Sequence, residues 1–186
     1  MSLFAEYEPA AQGRPVAARA LAIRKACVRD VPRLAQLSRQ RHGGQEHDHL
    51  RSWRIALQEA QDEERALILV AVILGEQVAF GSARCIDPRD EPAYRAVPAG
   101  WYLTGVIVDP AHRRRGIGHA LTQARLHWVE GRAACAYYFA SAQNRATIDL
   151  HKKLGFVELT RDFSFPRITF TGGVGILFRT DFRTRT

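Results

Sequence analysis

The chain has 186 residues, with 27 Lys and Arg against 19 Asp and Glu, a formal net charge of +8 and a pI near 10.0. Apolar residues make up 46% and charged residues 25%, proportions of a globular chain that exclude a disordered, collagen-like or disulfide-scaffold protein. No stretch approaches the roughly 18 uninterrupted apolar residues of a membrane span, and the first 15 residues lack an export signal, so a cytoplasmic protein is expected.

Residues 1–19 mix Ala, Pro, Gly and charge without a sustained period and read as an N-terminal extension to one domain over residues 20–186. Residues 20–25 suggest a short strand. Asp30 is placed to cap a helix that begins Val31-Pro32, and after Gly43-Gly44 the spacing of Leu50, Trp53, Leu57 and Ala60 predicts a second helix over 46–62. Residues 66–74 and 78–86 read as a hairpin, 87–100 as a Pro-rich loop and 101–108 as a further strand. Ile117, Leu121, Ala124 and Trp128 then share one face of a helix, which residues 133–142 follow as an uncharged strand. A strand, a helix and a strand joined by short connections imply a parallel crossover. Residues 144–154 are expected as a helix ended by Gly155, and residues 156–163 and 175–182 as the last strands. Cys27, Cys85 and Cys135 read as buried thiols, and a nucleophilic role for Cys85 or Cys135 is the weaker alternative.

The charge is uneven along the chain. Residues 44–100 carry a net −4, while residues 1–43, 101–143 and 144–186 carry +5, +3 and +4. One acidic quarter inside a basic frame suggests two partners of opposite sign.

The run Val106-Ile-Val-Asp-Pro-Ala-His-Arg-Arg-Arg-Gly-Ile-Gly-His-Ala-Leu121 ends a strand and opens a helix. Glycines at 116 and 118 allow close backbone approach, first-turn N–H groups attract an anion, and Arg113, Arg114 and Arg115 add charge there. A solvated basic turn is the plainer alternative. Neither usual nucleotide loop is present, since G-x-x-x-x-G-K-[ST] and the third glycine of G-x-G-x-x-G are missing.

Arg113-x-x-Gly116-x-Gly118 after a strand ending Val-x-Pro resembles the acetyl-CoA-binding motif of the GNAT superfamily of N-acetyltransferases. The run from Asn144 through Thr147 and His151 to Gly155-Phe156 is similar to its second signature. The resemblance spans about residues 20–182 and implies an α/β fold, a mixed, centrally splayed β-sheet with helices on both faces. It implies acetyl-CoA as acetyl donor, with its phosphates at Arg113, Arg114, Arg115, Gly116, Ile117, Gly118 and His119. Pantetheine would lie along Val106, Ile107 and Val108, with a backbone N–H near Ile107 or Val108 polarising the thioester carbonyl. Asn144 is either a helix cap or a cofactor contact, beside Thr147 and His151. Many relatives place at position 151 a tyrosine that protonates the CoA thiolate; His151 either takes that role, titrating near neutrality, or is a surface residue. Where many relatives have a Glu on the central strand, this chain has Tyr102, Thr104 and Gly105, so a water held by Thr104 or Tyr102, or an acid among Glu46, Asp48, Asp87, Asp90 and Glu91, is left as base.

His42, His47 and His49 with Glu46 and Asp48 read as a solvated cluster rather than a metal site, and no metal is expected. The expected partners are acetyl-CoA and a small, cationic primary amine, with a homodimer left open and neither nucleic acid nor membrane involved. The acidic quarter would face that amine, with Trp53, Tyr94, Trp101, Phe163, Phe165 and Phe170 as candidate walls or core residues. Two alternatives belong to other classes: a CoA-binding regulatory module without catalysis, and a nucleic-acid binder, the latter weak because no aromatics interleave with the arginines.

Overall fold

The computed structural model describes residues 21–61, 65–166 and 168–182. The expected extension and the acidic residues Asp62, Glu63 and Glu64 lie outside the described residues. Seven strands form one sheet in the order β1-β2-β3-β4-β5-β7-β6. They are β1 (Leu21–Lys25), β2 (Ala66–Ile73), β3 (Glu76–Ile86), β4 (Gly100–Val108), β5 (Cys135–Ser141), β6 (Val157–Thr160) and β7 (Gly175–Asp181). Among the described residues four α-helices, α1 (Val31–His42), α2 (Glu46–Glu59), α3 (Ile117–Glu130) and α4 (Arg145–Lys152), complete the element order expected from the sequence.

The unbroken apolar run of β2 belongs to a strand buried on both faces. Leu67, Leu69 and Ala71 pack with α3, α4 and Trp101, while Ile68 and Val70 pack with Leu34, Leu37 and Leu57 of α1 and α2. Each Leu, Ile or Val among them contributes about 1.5–3 kcal/mol by leaving water. Helices therefore cover both faces. A third cluster joins Tyr102 of β4, Tyr137 of β5 and Leu177 of β7 to Val97, Phe163 and Phe165 of the segments before β4 and after β6.

Every neighbouring pair of strands is antiparallel except β4 and β5, the crossover around α3. That parallel pairing covers Trp101, Tyr102 and Leu103 alone, although β4 runs on to Val108. The cause is a bulge. Thr104 pairs with Ser82 and Val106 with Gly81, leaving Gly105 extra at φ 39°, a region that favours glycine. The extra residue inverts the side-chain alternation, so β4 bends and parts from β5.

Several local expectations are corrected. Asp30 does not cap α1; its carboxylate turns back to Arg24 at 2.7 and 2.8 Å and to the Cys27 N–H at 2.8 Å. The strand expected over 156–163 ends at Thr160, because Asp162 turns out to Arg95 and Ser164 bridges to the 87–99 loop. Cys27 is exposed, and Cys85 and Cys135 are half-buried, since the first sits in an open turn and the others near strand ends.

Candidate active site

The turn between β4 and α3 is held from both sides. The Asp109 carboxylate accepts from the Ala111 N–H at 2.9 Å and pairs with Arg33 of α1 at 2.7 Å. Burial alone would push this carboxyl up, but those partners outweigh it and hold it below the usual range. Arg113 donates from Nε to the Val108 carbonyl at 3.2 Å. Arg114 adopts φ 63° and Gly116 φ 82°, and this left-handed backbone curls the chain into the first turn of α3. The first-turn amides of α3, with the helix dipole, form an anion-receptive nest. Arg114 and Arg115 are exposed beside it, and Ile117 is core, leaving its backbone to the turn.

The register fixes which β4 amides face the gap left by β5. Asp109 donates to the Val78 carbonyl at 2.8 Å, so by antiparallel alternation Ile107 exchanges bonds with Phe80 while Val106 and Val108 face the gap. The donor expected near Ile107 or Val108 is thus not on Ile107, whose N–H is spent on β3. A Cβ on Gly118 would lie 3.8–3.9 Å from Leu150 of α4 and from Val106 and Val108, so the turn, the open edge of β4 and α4 meet at one place.

On α4, Asn144 accepts from the Thr147 N–H at 3.4 Å as a helix cap. His151 stacks on Tyr138 with ring centroids 3.6 Å apart and is 3% exposed. Its Nδ1 lies 2.8 Å from the Thr147 carbonyl, an oxygen that only accepts, so Nδ1 carries the hydrogen. Burial, reinforced by Arg125 and only partly offset by Thr147, lowers the imidazole to about 4. This corrects the expectation of a histidine titrating near neutrality, and the surface alternative too: His151 is internal and neutral at pH 7.

Thr104 sits at the bulge with its hydroxyl 3.1 Å from that of Ser82. Tyr102 does not join them. Its hydroxyl donates to the Pro98 carbonyl at 2.7 Å, its ring stacks on Tyr137, and burial raises its pKa, which opposes a proton-accepting role. The candidate acids are ion-paired at the surface: Glu46 with Arg39 at 3.2 Å, Asp48 beside His47, Asp90 with Arg65, and Asp87 with Arg89, which holds Asp87 down at about 2. Glu91 is exposed. His49 bonds the Gly43 carbonyl at 2.7 Å, and among the described residues no group of three or more His, Cys, Asp or Glu gathers as a metal site. Trp53 and Trp101 pack edge-on to Phe80 and Trp128, whereas Tyr94, Phe163, Phe165 and Phe170 share the cluster that holds Tyr102.

Sequence reasoning missed Arg125. It lies on α3 at i+4 from Leu121 and i+8 from Ile117, the apolar stripe itself, and a charge on a buried stripe is the signal that was there to read.

The family model for the acetyltransferase (GNAT) family matches residues 31–156, which include the bulged strand, the turn and α4. The chain belongs to the GNAT family. This GNAT chain is 35% identical over 99 residues to aminoglycoside N(6')-acetyltransferase type 1 of Klebsiella aerogenes, covering 52% of the chain and 62% of the relative, so it spans less than two thirds of that protein. Its fold is that of the Escherichia coli ribosomal-protein-S18-alanine N-acetyltransferase, with a TM-score of 0.64 at 23% identity over 89% of this chain and 96% of the other. The PaiA N-acetyltransferase of Thermoplasma acidophilum, solved in complex with coenzyme A, gives 0.63 at 14% identity over 88% and 99%. No helix among the described residues is long and apolar enough to cross a membrane.

Proposed function

We propose that this protein transfers the acetyl group of acetyl-CoA to a primary amine by direct attack in a ternary complex. The observation that carries the reading is the gap between β4 and β5, which opens beside the nest at Arg114–Gly118. The gap offers the outward amides of Val106 and Val108 to an extended chain, and the nest offers N–H groups to phosphates. The charged rim is Arg113, Arg114 and Arg115, with His119, Asn144 and Thr147 flanking the path. In the reaction the amine nitrogen bonds to the thioester carbon, the carbon–sulfur bond breaks, and one amine proton ends on the CoA sulfur. A gap-facing amide of β4 stabilises the carbonyl oxygen as charge builds on it. The Thr104 and Ser82 hydroxyls, within 3.1 Å of each other, orient a water for the amine proton. His151, neutral with Nδ1–H engaged, offers an acceptor at Nε2 rather than an acidic proton, and enters this reading as a packed wall of the sulfur site.

We place the acceptor on the face of the 87–99 loop and the aromatic cluster, and take it to be a small cationic amine. The net negative charge of residues 44–100 and the name of the aminoglycoside-acetylating relative support this, although arginines pair with Asp87 and Asp90. Acetylation of a polyamine is expected to outpace that of neutral and anionic amines, with a margin that shrinks as salt rises and when Asp87, Asp90 and Glu91 are changed to Asn and Gln. A preference for anionic amines, measured as CoA release, would overturn the choice of acceptor.

One observation favours a second reading. Neither His151 nor Tyr102 offers an acidic proton for the departing thiolate, as a CoA-binding module without catalysis would also show. Tight acetyl-CoA binding without turnover across a broad amine panel would select that reading.

A further inference from the structure

Arg125 is 1% exposed, and its partners are all uncharged oxygens. Nη1 donates to the Ser82 carbonyl at 2.8 Å and the Thr104 carbonyl at 3.2 Å, Nη2 to the Thr122 hydroxyl at 2.9 Å, and Nε to the Leu121 carbonyl at 3.3 Å. Burial pulls the guanidinium down to about 9, so it remains a cation at pH 7. A buried charge without a counter-ion is costly, and a fold that keeps one has a local use for it or a close structural need. The sheet is shaped to admit it: a Cβ on Gly81 would lie 3.0 Å from Nε and 3.2 Å from Cζ.

What the guanidinium grips is the bulge. The Thr104 carbonyl is clasped twice, by Arg125 from the α3 face and by the Ser82 hydroxyl at 3.0 Å. No described peptide bond is cis, so the Gly105 N–H of that same peptide points away from the clasp, and Gly105 is exposed. The next amide, Val106, is the first of the two that face the gap.

We propose that Arg125 is a positioning residue for the acetyl group, a buried cation that locks the β4 bulge at Thr104 and so fixes the amides of Gly105 and Val106 where the thioester carbonyl is received. The inference rests on the acetyl-transfer reading above. It separates two parts of acetyl-CoA: the nest at Arg114–Gly118 serves the phosphates whatever Arg125 does, whereas the bulge serves only the acetyl group. Loss of Arg125 therefore acts on acetyl-CoA relative to CoA, and on kcat rather than on nucleotide affinity.

The test compares the full-length wild type with Arg125→Met, Arg125→Lys and Gly81→Ala. The last variant keeps the cation and displaces it by a few tenths of an ångström. Three quantities are measured: calorimetric affinities for CoA and acetyl-CoA, kcat with an amine that the wild type acetylates, and the amide signals of Gly105 and Val106 in 15N spectra. In Arg125→Met, kcat is expected to fall by roughly tenfold or more, in the direction of a lost oxyanion donor, while CoA affinity stays within about threefold. The affinity ratio of acetyl-CoA to CoA falls with it, the two amide signals move, Arg125→Lys recovers part of each effect and Gly81→Ala shows them in smaller measure. Unchanged kcat and affinity ratio in folded variants would overturn the proposal, as would equal losses of CoA and acetyl-CoA affinity, which mark a merely structural residue. If Arg125→Met does not fold, Gly81→Ala decides by the same criteria. If the wild type acetylates no amine, the functional reading fails on its own and the affinity ratio still decides the role of Arg125. If it binds neither nucleotide, the functional reading fails and the role of Arg125 toward the acetyl group is overturned with it.

Discussion

Gly118→Glu should abolish acetyl-CoA binding while leaving the fold intact. A side chain at 118 starts in ordinary van der Waals contact with Leu150, Val106 and Val108, at 3.8–3.9 Å, so nothing in the protein itself is displaced by a Cβ. Gly118 carries none of the positive φ values seen at Gly116, and any residue other than proline is a better helix former than glycine. The fold therefore accepts the substitution. The ligand does not. The carboxylate would extend into the junction of turn, β4 and α4, filling the path toward the gap and setting a negative charge beside amides that await phosphate oxygens. An affinity loss of at least about a hundredfold, on the order of 3 kcal/mol, is the expectation. Gly118→Ala should retain measurable affinity, and Arg113→Ala should weaken binding more mildly, because Arg113 also ties down the Val108 carbonyl at 3.2 Å. Calorimetric titration of Gly118→Glu with unchanged affinity would remove the turn from the site.

The comparison with the sequence turns on which features are local. Apolar spacing located α2 and α3 because each has one face in the core, boundary residues located the other two, and the 31–42 helix begins at the expected Val31-Pro32. The parallel crossover followed from connection length and is present as β4 and β5. The turn from Arg113 to Gly118 was legible as a turn into a helix, since glycine positions announce its left-handed backbone. Features that depend on distant partners were hidden. Asp30 has the right residue type for a cap, but Arg24, six residues earlier, competes for its carboxylate and wins with two bonds. His151 occupies a helix position that reads as polar, yet Tyr138 of β5 covers its ring. Tyr102 and Thr104, two apart on one strand, are alternative holders of a water in the sequence, but the Pro98 carbonyl draws the phenol into the apolar cluster and the bulge keeps Thr104 with Ser82. No local pattern encodes a strand separation, and the gap follows from Gly105 only once its register against Gly81 and Ser82 is known.

Stability should fall as pH drops from about 6.5 to about 4, and His151→Phe should remove much of that dependence. The native imidazole is held neutral, lowered to about 4 by burial, whereas in the unfolded chain it titrates near 6.5. Above the unfolded value neither state binds the proton and the full stability is present. Between the two values the unfolded state takes up a proton that the native state refuses, so acid draws the equilibrium toward unfolding. Below the native value both states are protonated and the dependence levels off. The window is worth roughly 3 kcal/mol for one group, about 1.4 kcal/mol per pH unit across it. His42 is also lowered, first by burial and then by Arg41 and His49, and adds a dependence of the same sign. The informative quantity is therefore the difference between wild type and variant. Phe at 151 keeps an aromatic ring against Tyr138 and Phe156 and gives up only the bond to Thr147, so the variant should fold well enough to be measured at pH 7. Denaturant unfolding of both proteins at intervals from pH 7.5 to 4 is the measurement, read as the number of protons taken up on unfolding. A wild-type curve steeper than the variant's by about one proton between pH 6.5 and 4 is expected, and parallel curves across that window would show that His151 is not held neutral in the native protein.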